Sequence, residues 1–201
     1  IYKTNNIKTG HIALIAILTW MALTGFLGWH GILDSWTPPR MFFIIVPMIV
    51  GLVWASRQRW TERLGNLSLS LLVGFQAFRI IVEILLHQAV IEEIAHPTMT
   101  WSGTNLDIIP GATALLLAPF ADRLNPSLLQ VWNLTSAAIL VITVVTGISA
   151  APSPFRQIMG EPANGFVAGF PYVWLPAILV SSAWLGHIVL FRRLRMVTKL
   201  G

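Results

Sequence analysis

The sequence predicts an all-α integral membrane protein, a bundle of six transmembrane helices with both termini in the cytoplasm. Three observations support this fold class. Hydrophobic residues make up 55% of the chain, charged residues only 10%, and the mean hydropathy is +0.72, which is too apolar for an ordinary soluble domain. Apolar segments recur with lengths near the roughly 20 residues that a helix needs to cross a bilayer. Basic residues cluster between these segments, as topology signals do.

The apolar segments predict that residues 1–201 form a single domain of six spans. Their approximate limits are residues 11–29, 41–55, 67–86, 107–120, 128–150 and 172–191. The second span is short and contains Pro47, which should kink it. The fourth is the weakest, because it is short and flanked by Pro110 and Pro119, so a tilted or half-buried segment is the alternative. The fifth and sixth spans are long and clear.

The distribution of Lys and Arg predicts the orientation, because short cytoplasmic loops are enriched in these residues. Six crossings place one group of basic residues together on the cytoplasmic side: Lys3, Lys8, Arg57, Arg59, Arg63, Arg123, Arg192, Arg193, Arg195 and Lys199. The opposite side receives mainly acidic loops, with Asp34, Glu92, Glu93 and Glu161 against Arg40 and Arg156. Tryptophans near the span ends fit an interfacial belt: Trp29, Trp36, Trp60, Trp101 and Trp174.

Composition also excludes several classes of protein. The net charge of +5 comes from basic clusters between apolar segments, so the predicted surroundings are a lipid bilayer and no nucleic acid is expected as a partner. The absence of cysteine excludes disulfides, thiolate metal sites and a cysteine nucleophile. No phosphate-binding glycine loop, Gly-x-Ser-x-Gly elbow or His-Glu-x-x-His motif is present.

A polar stripe in the third predicted span is the main candidate site. Arg79, Glu83 and His87 follow one another at i, i+4 and i+8, so on a helix they share one face among Ile, Val and Leu residues. An unpaired charge deep in a bilayer costs several kcal/mol, so Arg79 needs a partner, and Glu83 one turn away is the expected one. Two interpretations are open: an ion pair that only fixes packing, and a site that binds a ligand, ion or proton.

Polar residues at the outer ends of other spans are expected to join this stripe in an outward-facing pocket. The predicted ligand-binding residues are Arg79, Glu83, His87, Asn105, Asp107 and Tyr172, with His30, Thr143 and Thr146 at similar depth. Arg79 would bind an anion or hold Glu83 charged, and Glu83 and His87 would be the titrating pair. Asp107 has an alternative role as the N-cap of the fourth helix.

Metal and haem sites are the alternatives for a cofactor, whose identity stays open. Glu93 and His96 form a Glu-x-x-His pair, and with His87 they would complete a three-ligand site for zinc or a similar ion. The other interpretation is a solvated acidic loop. Histidines at similar depth, His11 with His187 or His30 with His87, could hold a single b-type haem.

The loop between the fifth and sixth spans is rich in proline and glycine but too apolar for a free linker. We expect it to pack on the outer face, either as a lid over the pocket or as a cap on the bundle. Arg156 and Glu161 are expected to form an ion pair there.

Three short segments carry a resemblance to known proteins: Met99-Thr-Trp-Ser-Gly-Thr-Asn-Leu-Asp107, Pro154-Phe-Arg156 and Glu161-Pro-Ala-Asn164. On these segments the chain resembles small bacterial multi-pass membrane proteins of unassigned role, mainly over its last three spans. The resemblance implies a bacterial inner-membrane location and brings no activity, cofactor or catalytic residue.

Three function classes follow from the sequence. The leading hypothesis is a multi-pass inner-membrane protein that binds a small ligand or ion in the outward-facing pocket, with transport of that ligand or of a proton as its extension. The second is a haem- or metal-binding membrane redox protein or enzyme. The third is an accessory subunit of a larger membrane complex, and the wide apolar surface also allows a homo-oligomer.

Overall fold

We describe the protein from a computed structural model that covers residues 2–36, 40–58 and 67–200, with side chains from His11 onward to Thr198. Within these ranges the chain is helical and contains no β-strand. The all-α prediction is therefore confirmed. Several predicted topology residues lie outside the described part of the chain: Arg59, Trp60, Arg63 and the side chains of Lys3, Lys8 and Lys199.

Seven α-helices make up most of the described chain. They are α1 (Tyr2–Trp29), α2 (Phe42–Ser56), α3 (Leu69–Phe75), α4 (Phe78–Ile91), α5 (Ile108–Leu117), α6 (Pro126–Ala150) and α7 (Val180–Leu200). Short 3-10 turns are formed by Pro97–Met99, Ala118–Arg123 and Asn164–Ala168, and a π turn, Leu175–Leu179, leads into α7.

Among the described residues, four helical stretches are long and apolar enough to cross a membrane. They are His11–Trp29, Leu69–Ile91, Pro126–Ala150 and Leu175–Thr198. Their first residues agree with the first, third, fifth and sixth predicted spans to within three residues, while the stretches that match the third and sixth spans end five and seven residues later than predicted. The second and fourth predicted spans are helices, α2 and α5, but both are shorter. With 15 residues, α2 is roughly 22 Å long, against a hydrocarbon core of about 30 Å, and Pro47 lies inside it.

The third span is one stretch with a tightened turn between α3 and α4. The amides of Gln76 and Ala77 bond to the carbonyls three residues earlier, on Val73 and Gly74. The side chain of Gln76 is buried and donates a hydrogen bond from Nε2 to the carbonyl of Ala183, 3.1 Å away on α7. The Gln76 side chain therefore links this turn to α7 through Nε2, while its Oε1 is buried without a hydrogen-bond partner.

The segment predicted as the fourth span contains a helix of only 10 residues, Ile108–Leu117, so it is shorter than the predicted limits of 107–120. The chain from Glu92 to Asp107, here called the connector, leaves the end of α4 and returns beside the first turn of that helix, near the middle of the Leu69–Ile91 stretch. From there α5 runs back alongside α4 and α3. The 3-10 turn after α5 ends near the start of α3, where Oδ1 of Asp122 accepts a hydrogen bond from the amide of Leu69 at 2.8 Å.

Two apolar clusters form the core. The first joins α3, α5, α6 and α7 and contains Leu69, Leu72, Val73, Ala114, Ala121, Leu129, Val189, Leu190 and Leu194. The second contains Leu33, Met41, Ile44, Ala168, Val173 and Ala177. Helix α1 is held at its C-terminal half, where the indole nitrogens of Trp20 and Trp174 donate to the carbonyls of Ala177 and Met21. Its other half exposes apolar side chains, which suit a lipid environment: Ile12, Leu14, Ile15, Ile17 and Leu18.

The first testable prediction concerns the cap that Asp122 provides for α3. Hydrogen bonds from the Ser70 side chain and from the Leu69 and Ser70 amides hold the pKa of Asp122 below its usual range. A lowered pKa in the folded state means that the carboxylate stabilises the fold at neutral pH and loses this effect as the pH falls through that value. Asp122→Ala should therefore lower the free energy of unfolding by about 1 kcal/mol or less at neutral pH, since the carboxylate is exposed.

The measurement is denaturant unfolding in detergent at a series of pH values. The difference between the wild type and Asp122→Ala should shrink in acid. Asp122→Asn, which keeps an acceptor oxygen but cannot ionise, is the control: it should lose less stability than Asp122→Ala, and the difference between these two variants should not change with pH. A constant difference between the wild type and Asp122→Ala across the series would contradict the charge-assisted cap.

Candidate functional site

A buried ion pair between Arg79 and Asp107 lies at the centre of the candidate site. Arg79 on α4 is only 1% exposed, and its guanidinium binds the Asp107 carboxylate through two nitrogens. Nε donates to Oδ2 at 2.8 Å, and Nη2 donates to Oδ1. The sequence-based prediction that Glu83 is the partner is therefore wrong. The connector brings the Asp107 carboxylate to the Arg79 guanidinium, where a planar contact with two hydrogen bonds forms. Glu83, one turn away on the same helix, makes no such contact.

Asp107 occupies the N-cap position of α5, as the alternative prediction held, but its carboxylate makes no capping hydrogen bond. The side chain instead points to Arg79 in the ion pair. Placing an anion at a helix N-terminus is favourable in itself, because the free amides and the helix dipole carry partial positive charge there. The ion pair and the helix start thus stabilise the same carboxylate.

Asn105 ties the remaining polar side chains to this pair. Its Nδ2 donates to Oε1 of Glu83 and to the carbonyl of Met99, the latter at 2.8 Å. Its Oδ1 accepts from the Asp107 amide at 2.9 Å and from the Thr143 hydroxyl at 2.7 Å. The amide group of Asn105 therefore uses its full bonding capacity and joins α4, the connector and α6.

On its other side, Arg79 contacts His187, a residue that sequence reasoning did not place in this site. Nη1 of Arg79 lies 3.3 Å from Nε2 of His187. Nδ1 of His187 lies 2.8 Å from Oδ1 of Asn133, and Nδ2 of Asn133 donates to the His187 backbone carbonyl at 3.1 Å. The guanidinium can only donate, so the imidazole accepts through Nε2 and donates through Nδ1. Both ring nitrogens of this possible haem ligand are therefore bonded to protein.

The structure brings together four of the six residues in the predicted ligand-binding set: Arg79, Glu83, Asn105 and Asp107. His87 lies apart, with its ring stacked on Trp101 at a centroid distance of 4.2 Å. Tyr172 packs edge-on against the ring of Phe166, with 5.0 Å between centroids. Thr143, expected at similar depth, joins the site through its hydroxyl.

The predicted metal pair finds no third ligand in the described ranges, where no group of three or more His, Cys, Asp or Glu side chains is placed to hold an ion. Glu93 is exposed and its backbone φ is 56°. His96 is buried, and its Nδ1 lies 2.8 Å from the Thr98 hydroxyl. These contacts describe a structured turn, and metal binding by Glu93 and His96 stays a prediction.

A cavity of about 240 Å³ opens beside the ion pair. It lies between α2, α4, α6 and the start of α7, and its wall is mostly apolar. The charged and hydroxyl side chains in the wall include Arg79, Glu83, Asp107 and Thr143. Deep in an apolar bundle, such a group of polar side chains at a cavity is the arrangement expected of a binding site.

Residues 151–171, which make up most of the segment between α6 and the π turn, are here called the lid loop. Ser153, Phe155 and Val167 from this loop line the cavity. The ring of Phe155 meets that of Phe42 on α2 at a centroid distance of 6.2 Å. The predicted ion pair in this loop is confirmed, with Arg156 Nη2 at 3.1 Å from Glu161 Oε1. The loop borders the cavity, as the lid hypothesis requires.

Comparison of the chain with protein-family models, curated proteins and solved structures found no match. The chemistry of the cavity wall is therefore the basis for a functional proposal. All three side-chain nitrogens of Arg79 have protein partners, and the Asn105 amide is fully bonded. Glu83 differs, because its Oε2 is buried without a hydrogen-bond partner.

The second testable prediction concerns the ion pair. Asp107→Asn leaves the Arg79 charge buried without a counter-ion, which should lower the free energy of unfolding by about 3–5 kcal/mol. Glu161→Gln removes the acid from the exposed ion pair of the lid loop and is the matched control, with little change expected. Denaturant unfolding of both variants in detergent checks this. Equal effects of the two substitutions would contradict a central role for the buried pair.

The third testable prediction concerns the closeness of α5 to α4. A Cβ on Gly111 would lie 2.9 Å from the backbone nitrogen of Ile80 and 3.3 Å from Cβ of Arg79. Gly111→Ala must push the two helices apart at the ion pair, so we expect a loss of about 1–3 kcal/mol in unfolding free energy.

Gly51→Ala is the control for that substitution, because a Cβ there would meet nothing within 4 Å. Alanine is also the better helix former, so this variant should be neutral or slightly more stable. Thermal unfolding in detergent compares the two. A Gly111→Ala protein as stable as the wild type would show that the helices separate without cost.

Proposed function

We propose that the protein is a multi-pass protein of the bacterial inner membrane that binds a small ligand in the cavity beside Arg79, with six crossings and both termini cytoplasmic. The observation that carries the proposal is the polar set in the wall of an otherwise apolar cavity. Charged side chains at membrane depth are costly to keep, and they are usually retained at a site of binding or transport. A packing role alone would need no adjoining cavity.

The path of the connector and α5 supports the six crossings. The stretch Leu69–Ile91 has 23 residues and is roughly 35 Å long, enough to cross the bilayer. The chain then returns to the level at which it began, since Asp122 bonds to the amide of Leu69. The connector and α5 together therefore make the return crossing, although α5 alone is too short for it.

The fourth testable prediction is this topology. The chain has no cysteine, so an introduced cysteine is the only thiol of the protein that the reagent can label. In intact cells, a membrane-impermeant maleimide should label Glu92→Cys and Gln157→Cys. It should label Arg123→Cys only after permeabilisation. Glu92 decides the count, because a bundle in which α2 and α5 do not cross would place it in the cytoplasm. Protection of Glu92→Cys in intact cells would therefore overturn the six-crossing proposal.

Ligand binding is tested with a small neutral probe, para-fluorobenzyl alcohol, followed by fluorine NMR on the purified protein. We expect saturable binding to the wild type. Gly147 lines the cavity, and a Cβ there has only the Met99 side chain near it, at 3.5 Å. Gly147→Leu should fill the cavity and abolish saturable binding.

Gly51→Leu is the matched control, because it adds the same side chain to an exposed position outside the cavity. It should leave binding unchanged. The binding proposal fails if the alcohol and its charged analogues, para-fluorobenzylamine and para-fluorobenzoate, all show no saturable binding. It also fails if Gly147→Leu and Gly51→Leu behave alike.

A further inference from the structure

We infer that the ligand of this cavity is a small amphipathic cation, whose apolar body fills the cavity and whose positively charged, hydrogen-bond-donating head lies against Glu83. The inference rests on the proposed function and names the ligand class of the same site. It is carried by the hydrogen-bond partners, the charges and the size of the site.

The hydrogen-bond partners in the wall leave one buried atom free. Arg79 is engaged by Asp107 and His187, and Thr143 donates to Asn105. Among the charged and hydroxyl side chains of the described cavity wall, the buried atom without a partner is Oε2 of Glu83, on a side chain that is 1% exposed. In its ionised form this carboxylate oxygen only accepts hydrogen bonds, so a ligand that binds the ionised form must present a donor.

The charges favour a cationic donor over a neutral or anionic one. With both carboxylates ionised, Glu83, Asp107 and Arg79 contribute two negative charges and one positive charge, which leaves a net charge of minus one. An uncompensated charge in apolar surroundings is costly, and the pairing of Arg79 with Asp107 leaves Glu83 as the excess charge. An ammonium or similar head beside Glu83 brings the set to neutrality, whereas an anion would double the imbalance.

The cavity limits the rest of the ligand. Its volume of about 240 Å³ is below the roughly 300–1,000 Å³ of pockets for drug-sized ligands, so a single ring or a short chain is the expected body. Apolar side chains from α2, α6 and the π turn, such as Ile45, Met48, Leu140 and Leu179, surround it. The aromatic rings of Phe42 and Phe155 lie at the rim, where α2 meets the lid loop.

A proton on Glu83 neutralises the same charge, so a proton and the cation compete for Oε2. The charged groups nearest to Glu83 are Asp107 and Arg79, both held in their own ion pair. His187 meets the set only through Arg79, and His87 lies one turn further along α4 against Trp101. From α6 the wall receives the Thr143 hydroxyl, and the cavity-lining side chains of α2 are apolar. Glu83 is therefore the group whose protonation should oppose the binding of the cation.

The test uses three probes with the same ring and different heads: para-fluorobenzylamine, para-fluorobenzyl alcohol and para-fluorobenzoate. Affinities are measured by fluorine NMR on the purified protein at neutral pH. We expect the amine to bind most tightly, the alcohol more weakly and the benzoate least. Glu83→Gln should weaken the amine roughly tenfold to a hundredfold, the value of a charge-assisted hydrogen bond, and leave the alcohol nearly unchanged.

Glu92→Gln is the matched control, since Glu92 is exposed and its Oε1 accepts a hydrogen bond from Gln88 outside the cavity. It should leave all three affinities unchanged. The ligand class is overturned if the alcohol or the benzoate binds the wild type as tightly as the amine. It is also overturned if Glu83→Gln folds, as shown by retained alcohol binding, and keeps its affinity for the amine.

A second measurement decides the matter if Glu83→Gln does not fold. In the wild type, the affinity for the amine should fall as the pH is lowered, because protons occupy Glu83, and the affinity for the alcohol should fall less. An equal pH dependence of the two probes would overturn the inference. A failure of all three probes to bind saturably would instead reject the binding proposal itself.

Discussion

The ion pair between Arg79 and Asp107 is the interaction on which the rest of the site depends. A guanidinium at this depth must meet a carboxylate, and the carboxylate comes from a segment outside its own helix. The connector therefore returns into the bundle, and α5 begins beside the first turn of α4, near the middle of the Leu69–Ile91 stretch. Gly111 allows the close approach that follows, because its Cβ-free surface faces the backbone of Ile80.

The same constraint explains why polar side chains gather at one place. Once the connector enters the bundle, its own polar groups need partners away from water. Asn105 meets this need by bonding at once to Glu83, Met99, Asp107 and Thr143. The network fixes the connector against α4 and α6, and it leaves the cavity with an apolar body and one polar side. Binding chemistry and helix packing are thus parts of one arrangement.

Much of the fold followed from the sequence, because long apolar runs separated by charge specify spans directly. The starts of four stretches were found within three residues, and the shortness of the fourth segment was visible from its two prolines. The polar members of the site stood out for the same reason, as charges in apolar surroundings. The pairing within the site was missed, because helical spacing reveals only neighbours such as Glu83. The irregular connector brings Asp107 to Arg79, and the packing of α7 brings His187 to it. Neither contact can be read from helical periodicity.

The distance along the chain between the two charges bears on how the protein enters the membrane during synthesis. Asp107 follows Arg79 by 28 residues, so the helix that carries Arg79 leaves the ribosome before its counter-ion. An arginine at the centre of an inserting helix costs about 2.5–3.5 kcal/mol on the translocon scale. The helix that carries Arg79 is therefore not at its most stable in lipid alone. With the six crossings proposed above, the region from Leu69 to Arg123 is most stable in the bilayer as a hairpin in which the two charges are already paired.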